Sequence, residues 1–565
     1  MTLGKNWYKS DRARLLFAIL LNVAFLAVLL LCFEVRFEEN DDLTVQKYLD
    51  GQTAVKTPFV VYINYFLARL LILLYNISGN ALPIFSLLQY AMLLLSFTGL
   101  SYMLFRRMEL LPAAAASLGI LCFFGADSYL ALTYTKTAGI ATAGGVSLML
   151  AGAMEKGGAK KWLPLGLGAV LLLFALMMRD KEFAACAALM APLGLWVLGE
   201  RMSSAPSGRR LREGGRFLLP FVLTIVLAAG LFLSNELIWN NSEYSDYKQF
   251  NAQRSRFVDY NVPEYEEMPE AYESCGIDKY TRDMFMENCY ERSVWTGETY
   301  EKLSDARDSL VSKPSPGECL GMFLDHCLSA FFIQKPIYGL MAALVLWLAW
   351  GRRRLRDFTG LGLASAIFGL LYLYLIHQGR YLVNRTDAGF FFALAVTLLW
   401  LIDPQKARGD KVLCLVLILT CLGLGYRQNQ NYCYFYSGNY LGDDSAEKAA
   451  VEALIDDEHF FIAEVDALNL SLYSPLETVP AGYADSIVLI GDWCENHPMN
   501  NAAMAAYGIE EPMRDLVDND KACIISRDIS TPLQFIRDNF APEAKAELLE
   551  SLSSETGLNI YKITS

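Results

Sequence analysis

The sequence predicts a polytopic α-helical membrane protein that carries a small α/β domain at its C-terminal end. Of its 565 residues, 54% are hydrophobic and 13% are aromatic, and the mean hydropathy is +0.27, outside ordinary soluble composition. Long apolar runs alternate with short basic clusters, which are typical topology signals. The net charge of -13 argues against nucleic-acid binding, because neutralising phosphates requires a basic face.

The first apolar run, 15–33, is long enough at helical rise to cross the hydrocarbon core of a bilayer. A cleaved signal peptide is the alternative, but the run is too long and no small-x-small cleavage site follows it. We therefore predict a retained anchor with a cytoplasmic N-terminus. Four basic residues precede the run: Lys5, Lys9, Arg12 and Arg14.

The apolar stretch 59–75 has two interpretations, a second crossing or a helix that lies in the outer interface. A second crossing would make the run 82–105 point outward and leave Arg106 and Arg107 on the wrong side of the membrane. The positive-inside rule therefore favours the interfacial helix.

With that choice the chain has about eleven crossings, with the N-terminus inside and the C-terminus outside. The later crossings are predicted at 82–105, 111–124, 137–154, 162–178, 183–198, 217–233, 331–350, 361–376, 389–401 and 412–424. The basic clusters then all fall on the cytoplasmic side, and they comprise Lys156, Lys160, Lys161, Arg201, Arg209, Arg210, Arg212, Arg216, Arg352, Arg353, Arg354, Arg356, Lys406, Arg408 and Lys411.

The predicted organisation has four parts. They are an N-terminal membrane module 1–234 with an acidic first outer loop 34–81, an outer loop domain 235–328, the C-terminal membrane helices 329–425, and an outer α/β domain 426–565. The loop domain contains Cys275, Cys289, Cys319 and Cys327, which suit disulfides better than zinc because the metal-ligand spacing is missing. No pairing is assigned.

Periodicity divides the C-terminal domain into alternating helices and strands. Helices are predicted at 445–455, 497–507, 532–539 and 543–552. Strands are predicted at 460–463, 486–491, 522–526 and 559–563. The domain has no glycine-rich phosphate loop and no serine elbow, so it carries no catalytic signature of its own.

Candidate functional residues concentrate at the predicted outer ends of the helices. Four carboxylates, Glu38, Glu39, Asp41 and Asp42, follow the first crossing. The simpler interpretation of these four is a solvated helix stop. Cations recur at the same face, where interfacial snorkelling is the ordinary explanation for any single one of them. These cations are Lys136, Arg179, Lys181, Arg380 and Arg385.

The motifs resemble those of the membrane-embedded GT-C glycosyltransferases, which include protein O-mannosyltransferases and aminoarabinose transferases. The acidic motif Glu38-Glu39-Asn40-Asp41-Asp42 comes first, followed by Lys56-Thr57-Pro58 and, much later, Arg380-Tyr381. The resemblance covers 1–107 well and 108–430 in outline. One departure is Phe59, which stands where the family often has a second proline.

The resemblance implies transfer of a sugar from a polyprenyl-phosphate carrier to a glycan, lipid or protein acceptor on the extracytoplasmic face of the cell membrane. Asp41 or Asp42 would be the catalytic base, supported by Glu38 and Glu39. Cations would bind the lipid phosphate of the donor. No cofactor is implied, and a divalent metal is not indicated. The donor-binding candidates are Arg380, Tyr381, Arg385, Arg179, Lys181, Lys136 and Lys56.

Two other functions stay open: a transporter or flippase for lipid-linked glycans, and a non-catalytic binding protein that kept the fold. Transporters place ionisable groups near the bilayer midplane on broken helices in related halves. The chain has no paired halves, and its charges cluster at one face, so the pattern favours an enzyme. A fold alone does not guarantee activity, so a binding role remains an alternative.

Overall fold

A computed structural model of the chain provides the structure. It describes residues 10–38, 40–51, 55–155, 158, 161–310, 312–329, 355–380, 382–401, 419, 423, 445–456, 458–464, 473–478, 486–491, 493–494, 496–553 and 557–565.

The N-terminal part is a helical bundle with one small pair of strands. In chain order it contains α1 (Asp11–Cys32), β1 (Arg36–Phe37), α2 (Asn40–Asp50), α3 (Tyr65–Ser78), α4 (Ile84–Arg107), α5 (Leu110–Ile120), α6 (Ala126–Leu130), β2 (Ala131–Leu132), α7 (Tyr134–Met154), α8 (Trp162–Met178), α9 (Asp180–Ser203) and α10 (Arg210–Asn240). A π-helical turn, Leu121–Gly125, joins α5 to α6.

The following segment consists of shorter helices and then returns to the bundle. The shorter helices are α11 (Ser245–Val258), α12 (Pro269–Ser274), α13 (Lys279–Met286), α14 (Gly297–Leu310) and α15 (Pro316–Ser329). The next two helices among the described residues are long and apolar, α16 (Leu355–His377) and α17 (Asn384–Leu401).

Among the described residues, seven helices are long and apolar enough to cross a membrane. They span Asp11–Cys32, Ile84–Arg107, Leu110–Leu130, Tyr134–Met154, Asp180–Ser203, Ser207–Asn240 and Thr359–His377. The predicted crossings 331–350 and 412–424 lie outside the described residues, except for Leu419 and Gly423. The count of eleven and the orientation of the chain therefore remain predictions.

Helix α7 forms the centre of the bundle and packs against α4, α8, α9 and α17. Glycines allow this close approach. A Cβ atom on Gly139 would lie 2.7 Å from the Cα atom of Gly389, so α7 and α17 meet backbone to backbone. The contact brings the beginnings of both helices to the same end of the bundle.

Two predicted boundaries in this region are wrong. The crossing predicted at 111–124 continues as helix to Leu130, so Asp127 is buried in a helix rather than held in a loop. Likewise α7 begins at Tyr134, which puts Lys136 in its first turn. Both helices can include these charges because Lys136 and Asp127 pair with each other, at 3.2 Å between Nζ and Oδ2.

The apolar stretch 59–75 is helical only from Tyr65 onward. Residues 55–64 form turns, and Tyr62 has a φ of +77°, a conformation that a helix excludes. Helix α3 then begins at Tyr65, after Asn64 caps it by accepting a hydrogen bond from the Phe66 backbone N–H at 3.0 Å. With 14 residues, α3 is shorter than the seven candidate spans. Its position relative to a membrane remains a prediction.

The described residues of the C-terminal domain form a five-stranded mixed sheet with helices. Its elements are α18 (Ser445–Ala453), β3 (Phe460–Glu464), β4 (Ile487–Ile490), α19 (Pro498–Ala506), α20 (Pro512–Asp515), β5 (Ala522–Ser526), α21 (Ser530–Asn539), β6 (Lys545–Ser553) and β7 (Leu558–Thr564). The strand order is β4-β3-β5-β7-β6, in which the first three strands are parallel and the last two pair antiparallel. The four predicted strands coincide with β3, β4, β5 and β7.

The helix predicted at 543–552 is wrong, because most of this stretch forms the edge strand β6. Its Ala, Glu, Lys and Leu residues favour a helix in isolation, but pairing with β7 decides the conformation. The strand carries two register irregularities and stays largely exposed, which hides the period-2 pattern of a buried strand.

The cysteines of the segment 235–328 do not form the disulfides that their even number suggested. Cys275, Cys319 and Cys327 are free thiols, so none of them is bonded to Cys289. The hydrophobic core of this segment is instead aromatic, with Phe285 stacked on Trp295 at 3.8 Å between ring centroids.

Candidate functional site

A cavity of about 370 Å³, which we call the charged cavity, opens where α9 and α17 begin and α16 ends. Its lining includes five cationic side chains, Arg179, Lys181, Arg254, Arg380 and Arg385, and four carboxylates, Asp41, Glu182, Asp259 and Asp387. Its other lining residues include Tyr62, Thr135, Tyr372, Phe390 and Trp493.

The acidic stretch reaches this cavity because it folds back into the bundle. Strand β1 pairs in parallel with β2, with Arg36 opposite Ala131, and the Glu38 backbone N–H donates to the Leu132 carbonyl at 3.0 Å. Helix α2 then begins at Asn40, so Asp41 and Asp42 lie in its first turn. The described residues of the stretch therefore belong to the bundle, and the interpretation as a solvated helix stop is wrong for Asp42, whose side chain is fully buried.

Asp41 is the carboxylate of this stretch that lines the charged cavity. Its Oδ1 atom accepts a hydrogen bond from Trp493 Nε1 at 2.9 Å. The Tyr134 hydroxyl lies 3.5 Å from its Oδ2 atom, at the limit of a hydrogen bond. Asp41 is thus held through one oxygen by the C-terminal domain while it faces the cavity.

Asp42 has a different environment from its neighbour. It is not among the lining residues, and its Oδ1 atom accepts hydrogen bonds from Gln89 Nε2 at 3.0 Å and from the Tyr134 backbone N–H at 2.9 Å. Burial raises the pKa of the Asp42 carboxyl to about 8, against the lowering effect of these hydrogen bonds. The geometry therefore separates the two catalytic candidates, with Asp41 in the cavity and Asp42 in the protein interior.

Glu38 and Lys136 form a buried ion pair rather than parts of the cavity. Lys136 Nζ lies 2.5 Å from Glu38 Oε2 and 3.2 Å from Asp127 Oδ2, and the Lys136 side chain is completely buried. Glu38 Oε1 also accepts a hydrogen bond from Asn384 Nδ2 at 3.0 Å. Lys136 is thus neutralised within the bundle and does not line the cavity. Glu39 lies outside the described residues.

The cations of the cavity come from three separate parts of the chain, 179–181, Arg254 and 380–385. The Arg179 guanidinium lies over the Tyr62 ring at 4.2 Å and near the Tyr134 ring at 5.6 Å, both cation–π contacts. Arg380 Nη2 is 3.9 Å from Asp259 Oδ2, a loose ion pair. Lys181 and Arg385 line the cavity as predicted candidates, whereas Tyr381 lies outside the described residues.

Tyr62 combines a strained backbone with a position in the cavity wall. Its φ of +77° is unusual for a bulky residue, and such outliers are enriched at functional sites. Burial raises the pKa of its hydroxyl to about 12, so the ring stays neutral beneath Arg179. Tyr62 therefore supplies an aromatic platform for the arginine.

Lys56, another predicted donor-binding residue, is not part of the cavity. Its ammonium donates to Asn76 Oδ1 and to Asn80 Oδ1, each at 2.7 Å. These bonds tie the turn before α3 to the end of α3. The Lys-x-Pro element therefore has a local structural role in this chain.

Sequence reasoning missed several residues of the cavity, among them Arg254, Asp259 and Trp493. Arg254 lies in α11, where a short basic stretch interrupts a segment rich in tyrosine and glutamate, and this contrast was the available signal. Trp493 had no such signal, because its role depends on how the C-terminal domain docks.

Asp387 accepts a hydrogen bond from the Tyr372 hydroxyl at 2.5 Å, and His326 Nε2 lies 3.1 Å from its other oxygen.

Within the described part of the chain, no group of three or more His, Cys, Asp or Glu side chains could hold a metal ion. The cavity instead combines its four carboxylates with five cationic side chains, which are suited to binding an anionic ligand. Planar guanidinium groups can each hold two phosphate oxygens.

Comparison with known proteins gives a structural similarity and no sequence match. No family model matches the chain, and no curated protein matches it. The chain is similar to the crystal structure of ArnT from Cupriavidus metallidurans in the apo state, at 12% identity and a TM-score of 0.38, covering 96% of this chain and 97% of that chain. It is similar also to ArnT from the same organism bound to undecaprenyl phosphate, at 10% identity and a TM-score of 0.38, covering 99% and 98%. No residue of this chain takes its role from those structures.

Proposed function

We propose that this protein is a membrane glycosyltransferase, in which Asp41 activates an acceptor hydroxyl and the arginines of the charged cavity bind a polyprenyl-phosphate sugar donor. The observation that carries the proposal is that Asp41 lines one cavity together with five cationic side chains. Residues far apart in sequence supply these groups, which is the pattern of a built site. The donor class follows from the motif resemblance of the sequence.

The proposed reaction needs one base and one anion-binding group. The Asp41 carboxylate takes the proton of the acceptor hydroxyl while the oxygen attacks the anomeric carbon of the sugar. The bond between that carbon and the phosphate oxygen breaks, and its electron pair leaves with the lipid phosphate. Negative charge then grows on the leaving phosphate, and the guanidinium groups stabilise it.

The assignment of the base to Asp41 rests on the difference between the two neighbouring aspartates. Asp42 accepts two hydrogen bonds in the interior and has a pKa of about 8, so at neutral pH it is mostly protonated. Asp41 lines the cavity, and Trp493 bonds its Oδ1 atom, whereas its Oδ2 atom has the Tyr134 hydroxyl at 3.5 Å, the limit of a hydrogen bond, so Oδ2 is the oxygen that meets the acceptor. Glu38 is neutralised by Lys136 and takes no part in the chemistry.

The phosphate-binding role is assigned to three arginines of the cavity wall, Arg380, Arg254 and Arg179. Arg380 has a carboxylate partner only at 3.9 Å, so a phosphate can replace that partner without breaking a short ion pair. Arg254 lines the same wall from α11. Arg179 is held by the Tyr62 and Tyr134 rings, which keep it in position and leave its charge available.

The extracytoplasmic location of the site follows from the positive-inside rule. The cavity lies where α9 begins, and α4 ends at the opposite end of the bundle with Arg106 and Arg107. Basic residues mark the cytoplasmic side of membrane helices, so the cavity belongs to the other side. The C-terminal domain is on that side too, because Trp493 lines the cavity.

The test is transfer from radiolabelled polyprenyl-phosphate sugars to membrane acceptors by the purified protein in nanodiscs. Asp41→Asn keeps size and hydrogen bonding but removes basicity, so we expect kcat to fall by roughly 10²–10⁴ while donor binding survives. The matched controls are Asp42→Asn, in the adjacent position, and Glu34→Gln, an exposed acid outside the cavity. Both controls should keep most of the wild-type rate.

Full activity of Asp41→Asn beside an active wild type would move the base elsewhere. Movement of the lipid-linked sugar across the bilayer without any new glycosidic bond, in wild type and variants alike, would replace the enzyme by a transporter. Donor binding with neither transfer nor movement across a broad panel would support a binding protein.

A further inference from the structure

A second cavity lies at the opposite end of the helical bundle and has no part in the proposed reaction. Its volume is about 340 Å³, and we call it the basic-end cavity. Three arginines, Arg14, Arg106 and Arg107, and two carboxylates, Glu155 and Glu200, contribute to its lining. Aromatic rings form much of the remaining wall, from Tyr102, Trp196 and Trp400.

The two cavities are separated along the helices they share. Glu182 near the start of α9 lines the charged cavity, and Val197 near its end lines the basic-end cavity. At 1.5 Å per residue these two positions are about 22 Å apart. A ligand in one cavity therefore does not touch the residues that line the other.

The arginines of the basic-end cavity differ in their ion-pair and hydrogen-bond partners. Arg106 pairs with Glu155, and Arg107 donates to the Trp400 carbonyl at 2.8 Å while lying 4.8 Å from the centre of its ring. The half-buried Arg14 guanidinium has no ion-pair or hydrogen-bond partner among the described residues. One cation of the cavity is thus available to an external anion.

A second unsatisfied donor lines the same cavity. The indole N–H of Trp196 is buried and has no hydrogen-bond partner within the described part of the chain. Leaving a buried donor unsatisfied destabilises the protein, so a ligand that accepts its hydrogen bond is favoured there. Arg14 and Trp196 together offer one charge and one neutral N–H to an acceptor-rich anion.

We propose that the basic-end cavity binds the phosphate headgroup of an anionic glycerophospholipid. A phosphodiester supplies the negative charge for Arg14 and the acceptor oxygens for Trp196. The surface beside the cavity is apolar and suits acyl chains. Leu163 and Leu195 are both 62% exposed, and each precedes a lining residue, Pro164 and Trp196. Lys161 lies 4.6 Å over the ring of the exposed Trp162, an arrangement typical of a membrane interface.

The experiment measures lipid retention on the intact protein by native mass spectrometry. Purified protein in detergent is titrated with phosphatidylglycerol, with phosphatidylcholine and, separately, with inorganic phosphate. We expect phosphatidylglycerol to bind, phosphatidylcholine to bind at least tenfold more weakly, and inorganic phosphate not to compete at equal concentration. Arg14→Gln should weaken phosphatidylglycerol binding by about tenfold or more, and Trp196→Phe, which removes only the N–H donor, by a smaller factor.

The matched controls are Arg12→Gln and Trp162→Phe. Arg12 is exposed two positions before Arg14 on the same helix, and neither control residue lines the cavity. Unchanged binding in both Arg14→Gln and Trp196→Phe would overturn the proposal, as would equal binding of the two lipids. Full competition by inorganic phosphate would overturn the lipid assignment, since a soluble anion would then be sufficient.

Discussion

Trp493 Nε1 donates a hydrogen bond to Asp41 Oδ1 at 2.9 Å, although the two residues lie 452 positions apart in the chain. The contact joins the C-terminal domain to the first turn of α2. A domain without a catalytic signature of its own therefore completes the wall of the charged cavity. Its contribution is to fix the carboxylate that faces the cavity.

An aromatic cluster holds Trp493 in this position. Trp493 lies 6.2 Å from the Tyr48 ring and 5.6 Å from the Tyr62 ring, measured between centroids. His497 lies beside Tyr48 at 4.3 Å, and burial lowers the pKa of its imidazole to about 4. The imidazole is therefore neutral at physiological pH. Its Nε2–H donates a hydrogen bond to the Phe59 carbonyl at 3.0 Å.

The first prediction concerns this hydrogen bond. Trp493→Phe keeps an aromatic ring and removes the N–H, so Asp41 loses the donor that positions it. We expect kcat for sugar transfer to fall about tenfold or more, because hydrogen bonds to charged groups contribute about 1.5–3 kcal/mol. The KM for the donor should change little, since Trp493 does not supply a phosphate contact. Steady-state kinetics of the purified protein provide both values.

Trp162→Phe is the control for this substitution, because Trp162 is exposed and far from the charged cavity. It should leave both kinetic constants unchanged. If Trp493→Phe raised KM alone and kept kcat, the indole would contact substrate rather than position Asp41.

The second prediction compares two arginines on α11. Arg254 lines the charged cavity, whereas Arg256 is exposed and pairs with Asp305 and Asp308 at 2.7 and 3.0 Å. Arg254→Gln removes one charge from the phosphate-binding wall, so donor affinity should fall by about tenfold or more. Arg256→Gln should leave donor affinity within about twofold of wild type, because exposed ion pairs contribute little.

The measurement is equilibrium binding of a labelled polyprenyl phosphate to the protein in nanodiscs. Arg380→Ala, from a different wall of the same cavity, should weaken binding by a similar factor. Equal affinities of wild type, Arg254→Gln and Arg380→Ala would remove the phosphate from this cavity.

The third prediction assigns Lys136 to folding rather than to ligand binding. Lys136→Met leaves the carboxylates of Glu38 and Asp127 buried without their cation. Breaking a buried ion pair by removing one partner typically costs about 3–5 kcal/mol. We therefore expect a large fall in thermal unfolding temperature, measured by tryptophan fluorescence in detergent.

The triple variant Lys136→Met, Glu38→Gln, Asp127→Asn is the control, because it removes all three charges together. It should recover much of the lost stability. A single variant Lys136→Met that unfolds at the wild-type temperature and only loses donor affinity would return Lys136 to the ligand site.

Sequence patterns predicted the membrane class and the strands β3, β4, β5 and β7 of the C-terminal sheet because these depend on local hydrophobicity, whereas the exposed edge strand β6 was mistaken for a helix. Arg380 and Asp41 could be nominated in the same way, since both follow apolar runs. The different environments of Asp41 and Asp42 could not be predicted from the sequence. The two are adjacent residues with the same chemistry, and they differ only in which one the fold buries. The buried ion pairs of Lys136 could not be predicted for a related reason, because its partners Glu38 and Asp127 come from other elements.

The remaining prediction uses the buried carboxyl of Asp42. Its pKa in the folded protein is about 8, against 3.8 for the ordinary group, so between these values the folded state holds a proton that the unfolded state releases. The stabilising effect of the bound proton is complete below about pH 4 and is lost as the pH rises through 8. Within this window the loss is at most about 1.4 kcal/mol per pH unit.

Asp42→Asn should abolish this dependence. Asparagine has no titrating proton, and its Oδ1 atom can accept the same hydrogen bonds from Gln89 and the Tyr134 backbone. The unfolding temperature of wild type should therefore decline between pH 5 and pH 8 more steeply than that of Asp42→Asn. His497 titrates in both proteins, so its effect cancels in the comparison. Parallel curves for the two proteins would mean that Asp42 is ionised in the fold, and Asp42 would then regain its place beside Asp41 as a candidate base.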